Sequence, residues 1–81
     1  MTYLWQEERG LNHYRVQTDN KFIAGKLKRR NGFKLIGWSL NDKSIWIFRC
    51  QFSRPDIAKK TLKSITKKIP KIDSEDVIFF D

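Results

Sequence analysis

Cysteine and histidine are almost missing: Cys50 and His13 are the only examples in 81 residues. One cysteine makes no internal disulfide, and with one histidine it falls short of a Cys/His zinc site, so a disulfide- or zinc-stapled scaffold is excluded. Two prolines and four glycines are too few for a collagenous or low-complexity chain. No apolar run approaches the roughly 20 residues of a membrane-spanning helix. The opening MTYLWQEERG lacks the basic start and apolar stretch of a signal peptide. Acids are scarce as well: nine Asp and Glu face 17 Lys and Arg, a net charge of +8, and between Arg9 and Arg54 only Asp19 and Asp42 are acidic. These absences lead to the expectation of a cytoplasmic protein with no cofactor, no metal and no membrane association. The charge excess points to polyanionic partners, either nucleic acid or an acidic protein.

Present in quantity are the makings of a core. Hydrophobic residues are 40% of the chain and aromatics 14%, with three Trp and six Phe. That composition argues for a folded protein, and the length for one domain over residues 1–81.

The stretch from Ser44 to Ile69 is the most strongly patterned. Ser44 to Phe52 alternates as a strand with Trp46, Phe48, Cys50 and Phe52 on one side. Ser53 to Ile69 reads as a helix whose Ile57, Ala58, Leu62, Ile65 and Ile69 form one apolar stripe, with Lys59, Lys60, Lys63 and Lys67 facing away. Ser53 and Asp56 fit a capping box, Pro55 fits the first turn, and Pro70 is the expected stop.

Upstream, Asn12 to Thr18, Lys21 to Arg29 and Phe33 to Leu40 also look like strands, separated by turn residues at Asp19-Asn20, Asn31-Gly32 and Asn41-Asp42-Lys43. Two-residue loops at the first two turns set Val16 opposite Ile23, Leu27 opposite Ile36, and Gly25 opposite Trp38. A three-residue third loop sets Trp38 opposite Trp46 and Ile36 opposite Phe48. The expected fold is therefore α+β: a four-stranded antiparallel meander with one long helix on its apolar face. A short strand or extended tail completes it, since Val77 to Phe80 either adds to the sheet edge or docks on a second copy as a homodimer contact. Tyr3 to Gln6 reads as an edge strand or a covering segment.

On this layout the face opposite the helix carries Arg15, Lys26, Lys28, Arg30 and Arg49 around the small residues Ala24, Gly37 and Ser39, with Phe33 as a stacking ring. Cations that track phosphates beside a ring that stacks on bases suit single-stranded DNA or RNA. The expected function is non-catalytic nucleic-acid binding through those six residues, Phe33 stacking and the five cations neutralising phosphate. The alternative is an adaptor module whose partner is an acidic protein. Catalysis finds little support, because Cys50 falls on the core side and His13 on the other, so no nucleophile and base meet. A lone His beside Arg15 and Lys26 is nevertheless what a small ribonuclease would use.

The run Phe52-Ser53-Arg54, between an alternating strand and a helix leading to Lys68-Ile69-Pro70-Lys71-Ile72, resembles the strand, Tyr-Ser-Arg and helix arrangement of phycobilisome capping linkers. The resemblance spans about the last third of the chain and departs from that family at Lys67 and Lys68, where its paired glycines would stand. It implies a basic adaptor that binds acidic protein rings.

Overall fold

The computed structural model describes residues 1–7, 12–40, 44–74 and 77–80. They form one antiparallel sheet of six strands and two helices, so the meander with a single long helix is corrected. In chain order the elements are β1 (Thr2–Gln6), β2 (His13–Thr18), α1 (Lys21–Arg29), β3 (Lys34–Leu40), β4 (Ser44–Gln51), α2 (Pro55–Thr66), β5 (Pro70–Ser74) and β6 (Val77–Phe80). Across the sheet the strands run β3-β4-β2-β1-β6-β5. Three hairpin pairs thus lie side by side, joined by the β2–β4 and β1–β6 ladders.

The largest correction is at 21–29, expected as a strand and found as α1. Ile23, Gly25 and Leu27 satisfy a period of two, but Ile23, Ala24 and Leu27 equally satisfy i, i+1, i+4. The end signals decide for helix. Asn20 Oδ1 accepts hydrogen bonds from the Phe22 and Ile23 amides at 2.9 and 3.2 Å, so the dipeptide read as a turn is an N-cap. Lys26, Lys28 and Arg29 sit in the last turn, where cations complement the helix dipole. Ala24 and Leu27 are buried as a result.

Both helices cover one face, α1 against β2 and β4, α2 against β1 and β6. The core between them holds Leu4, Tyr14, Val16, Leu27, Phe48, Leu62, Ile65 and Phe80. Two threonines are buried with them and satisfy each other, Thr2 Oγ1 lying 2.8 Å from Thr18 Oγ1 across the β1–β2 pair.

The 53–69 helix is shorter than expected. The Ser53/Asp56 capping box is not formed: Arg54 is the N-cap, with no side-chain bond, and Pro55 opens the helix. Its C-terminus comes before Pro70, because Lys67 adopts a left-handed φ of 61° and its amide donates to the Lys63 carbonyl at 2.8 Å. Ile69 therefore leaves the apolar stripe and is 68% exposed. Pro70 instead begins β5, an edge strand, where a missing amide costs no ladder bond.

The β3–β4 register sets Trp38 opposite Trp46 as the third-loop argument required, although the loop itself, 41–43, lies outside the described residues. A register shift between Leu35 and Gly37 then places Leu35, not Ile36, opposite Phe48. The terminal strand β6 pairs on both edges, with β1 and β5, so Val77–Phe80 joins the sheet, the first of its two expected roles, and does so inside it rather than at its edge.

Gly25 distinguishes the two readings of 21–29. A Cβ there would meet only the Arg29 guanidinium, at an ordinary 3.6 Å. Replacing a mid-helix glycine with alanine reduces the entropy lost on folding, so Gly25→Ala is expected to stabilise the protein by about 0.5–1 kcal/mol in urea denaturation. A strand-bound Gly25 facing Trp38 would give destabilisation instead. Leu62 has no exposed surface, so Leu62→Ala should cost about 2–5 kcal/mol in the same measurement.

Candidate nucleic-acid interface

The face turned away from the helices is assembled from alternate residues of the six strands. Across the sheet, one row runs Lys71, Phe79, Tyr3, Gln17, Ile47, Gly37. The next runs Val77, Trp5, Arg15, Arg49, Lys34. A third holds Glu7, His13 and Gln51, with the Glu7 amide donating to the His13 carbonyl at 3.0 Å.

The first row is aromatic and apolar. Tyr3 and Phe79 rings lie 6.4 Å apart, and Lys71 Nζ stands 6.0 Å from the Phe79 centroid. Tyr3, Trp5 and Phe79 are all half-buried, and a shallow trough runs between Tyr3, Trp5, Gln17, Asp73 and Val77. A Cβ at Gly37 would meet nothing within 4 Å, which leaves open space beside Ile47.

The second row sets three cations on adjacent strands. Like charges directly opposite one another destabilise a sheet, and one carboxylate compensates in part. Arg15 Nε donates to Glu7 Oε1 at 2.7 Å, and Arg49 Nε lies 3.5 Å from the same oxygen. The Arg15 hydrogen bond holds the Glu7 carboxyl below its ordinary range against the opposing effect of burial, and Arg49 adds to the lowering. Arg49 also reaches His13: its Nη2 is 3.3 Å from Nδ1. On the other side of the ring the Gln51 side-chain amide nitrogen lies 2.8 Å from Nε2. A shallow depression lined by His13, Gly32, Lys34, Arg49 and Gln51 adjoins this cluster.

Of the six residues picked from sequence, the fold brings Arg15 and Arg49 together here. The other four lie with the helices. Lys26 donates from Nζ to the Ile65 carbonyl at 3.3 Å, tying α1 to the end of α2, where a cation meets the negative end of the helix dipole. Lys28 borders a hollow with Leu35, Trp38 and Trp46. Arg30 is the C-cap of α1. Phe33 packs on the core, edge-on to Phe52 at 6.1 Å. Misreading α1 as a strand displaced Lys26, Lys28 and Arg30, and the register shift between Leu35 and Gly37, which turns Lys34 to the open face, displaced Phe33. Tyr3, Trp5, Glu7, Lys34, Lys71 and Phe79 were missed. The signal for Tyr3 and Trp5 was their alternation with Thr2 and Leu4, which marks a two-faced strand.

The Cys50 thiol is buried on the helix-bearing side, 3.7 Å from the Tyr14 carbonyl. Among the described residues no group of three His, Cys, Asp or Glu could hold a metal ion, and no helix is long and apolar enough to cross a membrane. No protein-family model, curated protein or solved structure matches the chain, so the local likeness of residues 52–72 to capping linkers carries no functional argument.

Burial pushes the Cys50 thiol up to about 12 from an ordinary 9.0. It should therefore resist thiol reagents at neutral pH until the protein unfolds. The sign of the linkage also follows. With the folded value raised, the contribution to stability is complete below pH 9.0 and is lost as pH rises toward 12, where only the unfolded chain ionises. The urea midpoint of the wild type should accordingly fall more between pH 8 and about 10 than that of Cys50→Ala.

Proposed function

We propose that the open sheet face binds single-stranded nucleic acid, with Trp5, Tyr3 and Phe79 stacking on bases and Arg15, Arg49, Lys34 and Lys71 contacting phosphates. The observation that carries this reading is the row Trp5, Arg15, Arg49, Lys34 across four adjacent strands. Three neighbouring cations raise the electrostatic energy of the free protein, and a polyanion lowers it by lying along them. Beside that row, the Tyr3–Phe79 pair supplies flat apolar surface. A duplex hides its base faces, whereas an unpaired strand offers phosphates and bases together, which favours single strands. Arg15 and Arg49 keep the role expected from sequence, and Lys26, Lys28, Arg30 and Phe33 are replaced by residues of β1, β3, β5 and β6.

The test is anisotropy of a labelled unpaired oligonucleotide against salt. Four phosphate contacts on a single strand predict a loss of affinity of about fiftyfold between 50 and 200 mM salt. Trp5→Ala should weaken binding by about 1–3 kcal/mol with the salt slope unchanged. Arg15→Ala should reduce the slope by about 0.7. The paired change Lys63→Glu with Lys67→Glu, on α2, should leave binding nearly unaltered. Equal affinity for polyglutamate would overturn the stacking role and favour an acidic protein partner.

A further inference from the structure

Glu7 and His13 face each other at the ends of the β1–β2 pair, and the Arg49 guanidinium lies between their side chains, Nε toward the carboxylate and Nη2 toward the imidazole. Arg15 closes the other side of Glu7. A carboxylate, an imidazole and two guanidiniums grouped on an open surface are a sufficient set for moving a phosphoryl group within RNA. We propose that this cluster cleaves unpaired RNA, an inference that rests on the single-strand reading of the same face.

The roles follow from charge and reach. Arg15 donates from Nε to Glu7, and its two terminal nitrogens carry further N–H groups that can meet a phosphodiester beside those of Arg49. A phosphate held there draws Arg49 off His13 Nδ1. The imidazole so freed stands beside the phosphate as the proton donor. Glu7, kept ionised by its arginines, accepts the proton of the ribose 2′-hydroxyl as that oxygen attacks the adjacent phosphorus. The bond from phosphorus to the 5′-oxygen breaks, and His13 gives its proton to that leaving oxygen. Arg15 and Arg49 stabilise the charge that builds on the phosphoryl oxygens. The products are a 2′,3′-cyclic phosphate and a 5′-hydroxyl end. No electron changes hands and no co-reactant is consumed; Glu7 returns its proton to solvent, and His13 regains one from solvent. The acid that sequence reading did not find for His13 is thus Glu7, brought opposite it by β1.

The experiment uses the full chain, EDTA to silence metal-dependent contaminants, and three labelled oligonucleotides of one unpaired sequence: RNA, RNA with a single 2′-deoxyribose, and DNA. The expected result is that all three bind, that RNA is cut to 2′,3′-cyclic phosphate ends, and that the bond after the deoxyribose survives. His13→Ala and Glu7→Gln should each slow cleavage by about a hundredfold or more. Glu7→Gln should bind RNA at least as tightly as the wild type, because it removes a carboxylate from the phosphate site. RNA that is bound but left intact overturns the cleavage proposal alone. So does cleavage at the wild-type rate by both variants. Failure to bind any single strand overturns the interface reading and this proposal together.

Discussion

The sheet holds together through β1. Its backbone is hydrogen-bonded on one edge to β2 and on the other to β6, so it joins the half of the sheet built from β3, β4 and β2 to the half built from β6 and β5. Its side chains are divided with equal economy. Thr2 and Leu4 enter the core, while Tyr3 and Trp5 stand on the open face. A shift of one residue in its pairing would drive two bulky rings toward the helices and two core residues into solvent. The buried Thr2–Thr18 pair resists such a slip, because each hydroxyl would lose its partner inside an apolar layer. Core and candidate site thus depend on the register of one five-residue strand.

Among the described residues the positive charge of the open face is balanced only in part. Arg15, Arg49 and Lys34 are cross-strand neighbours, and Glu7 answers two of them. Other described cations are differently placed. Lys26 joins the helices, and Lys63 and Lys67 project into water from α2. Placement, more than the net charge of +8, gives this face its character: a cationic row beside an aromatic one.

Much of the local structure was legible in the sequence. The alternation of β4 correctly put Phe48 and Cys50 inside and Arg49 outside, because a strand between a dry and a wet face has one low-energy arrangement. The Ile57-to-Ile65 stripe marked α2. That Arg15 and Arg49 share a face followed from the same period-two reasoning on β2 and β4, whereas their direct pairing did not. The failure at α1 was a conflict of periods within nine residues, settled by the cap at Asn20 and by burial of Ala24 and Leu27. Lys26, Lys28 and Arg30 were misplaced with it, and Phe33 by the register shift in β3. Residues 70–74, outside every strand and helix expected from sequence, form β5 because β6 offers them an edge.

The sequence by itself determined composition, charge, the two-faced character of β2 and β4, and the amphipathicity of α2, all of which depend on residues near one another along the chain. The tertiary structure alone decided which strands are neighbours. Pairing of β1 with β6 and of β2 with β4 joins segments far apart in sequence, and the ends of the chain carry no local mark of that choice. Hydrophobic periodicity tells a strand which side to bury but not whom to sit beside; that is settled when backbone donors and acceptors on both edges of β1 must be met at once. The grouping of Tyr3, Glu7, His13, Arg49 and Phe79 on one surface is a consequence of that pairing.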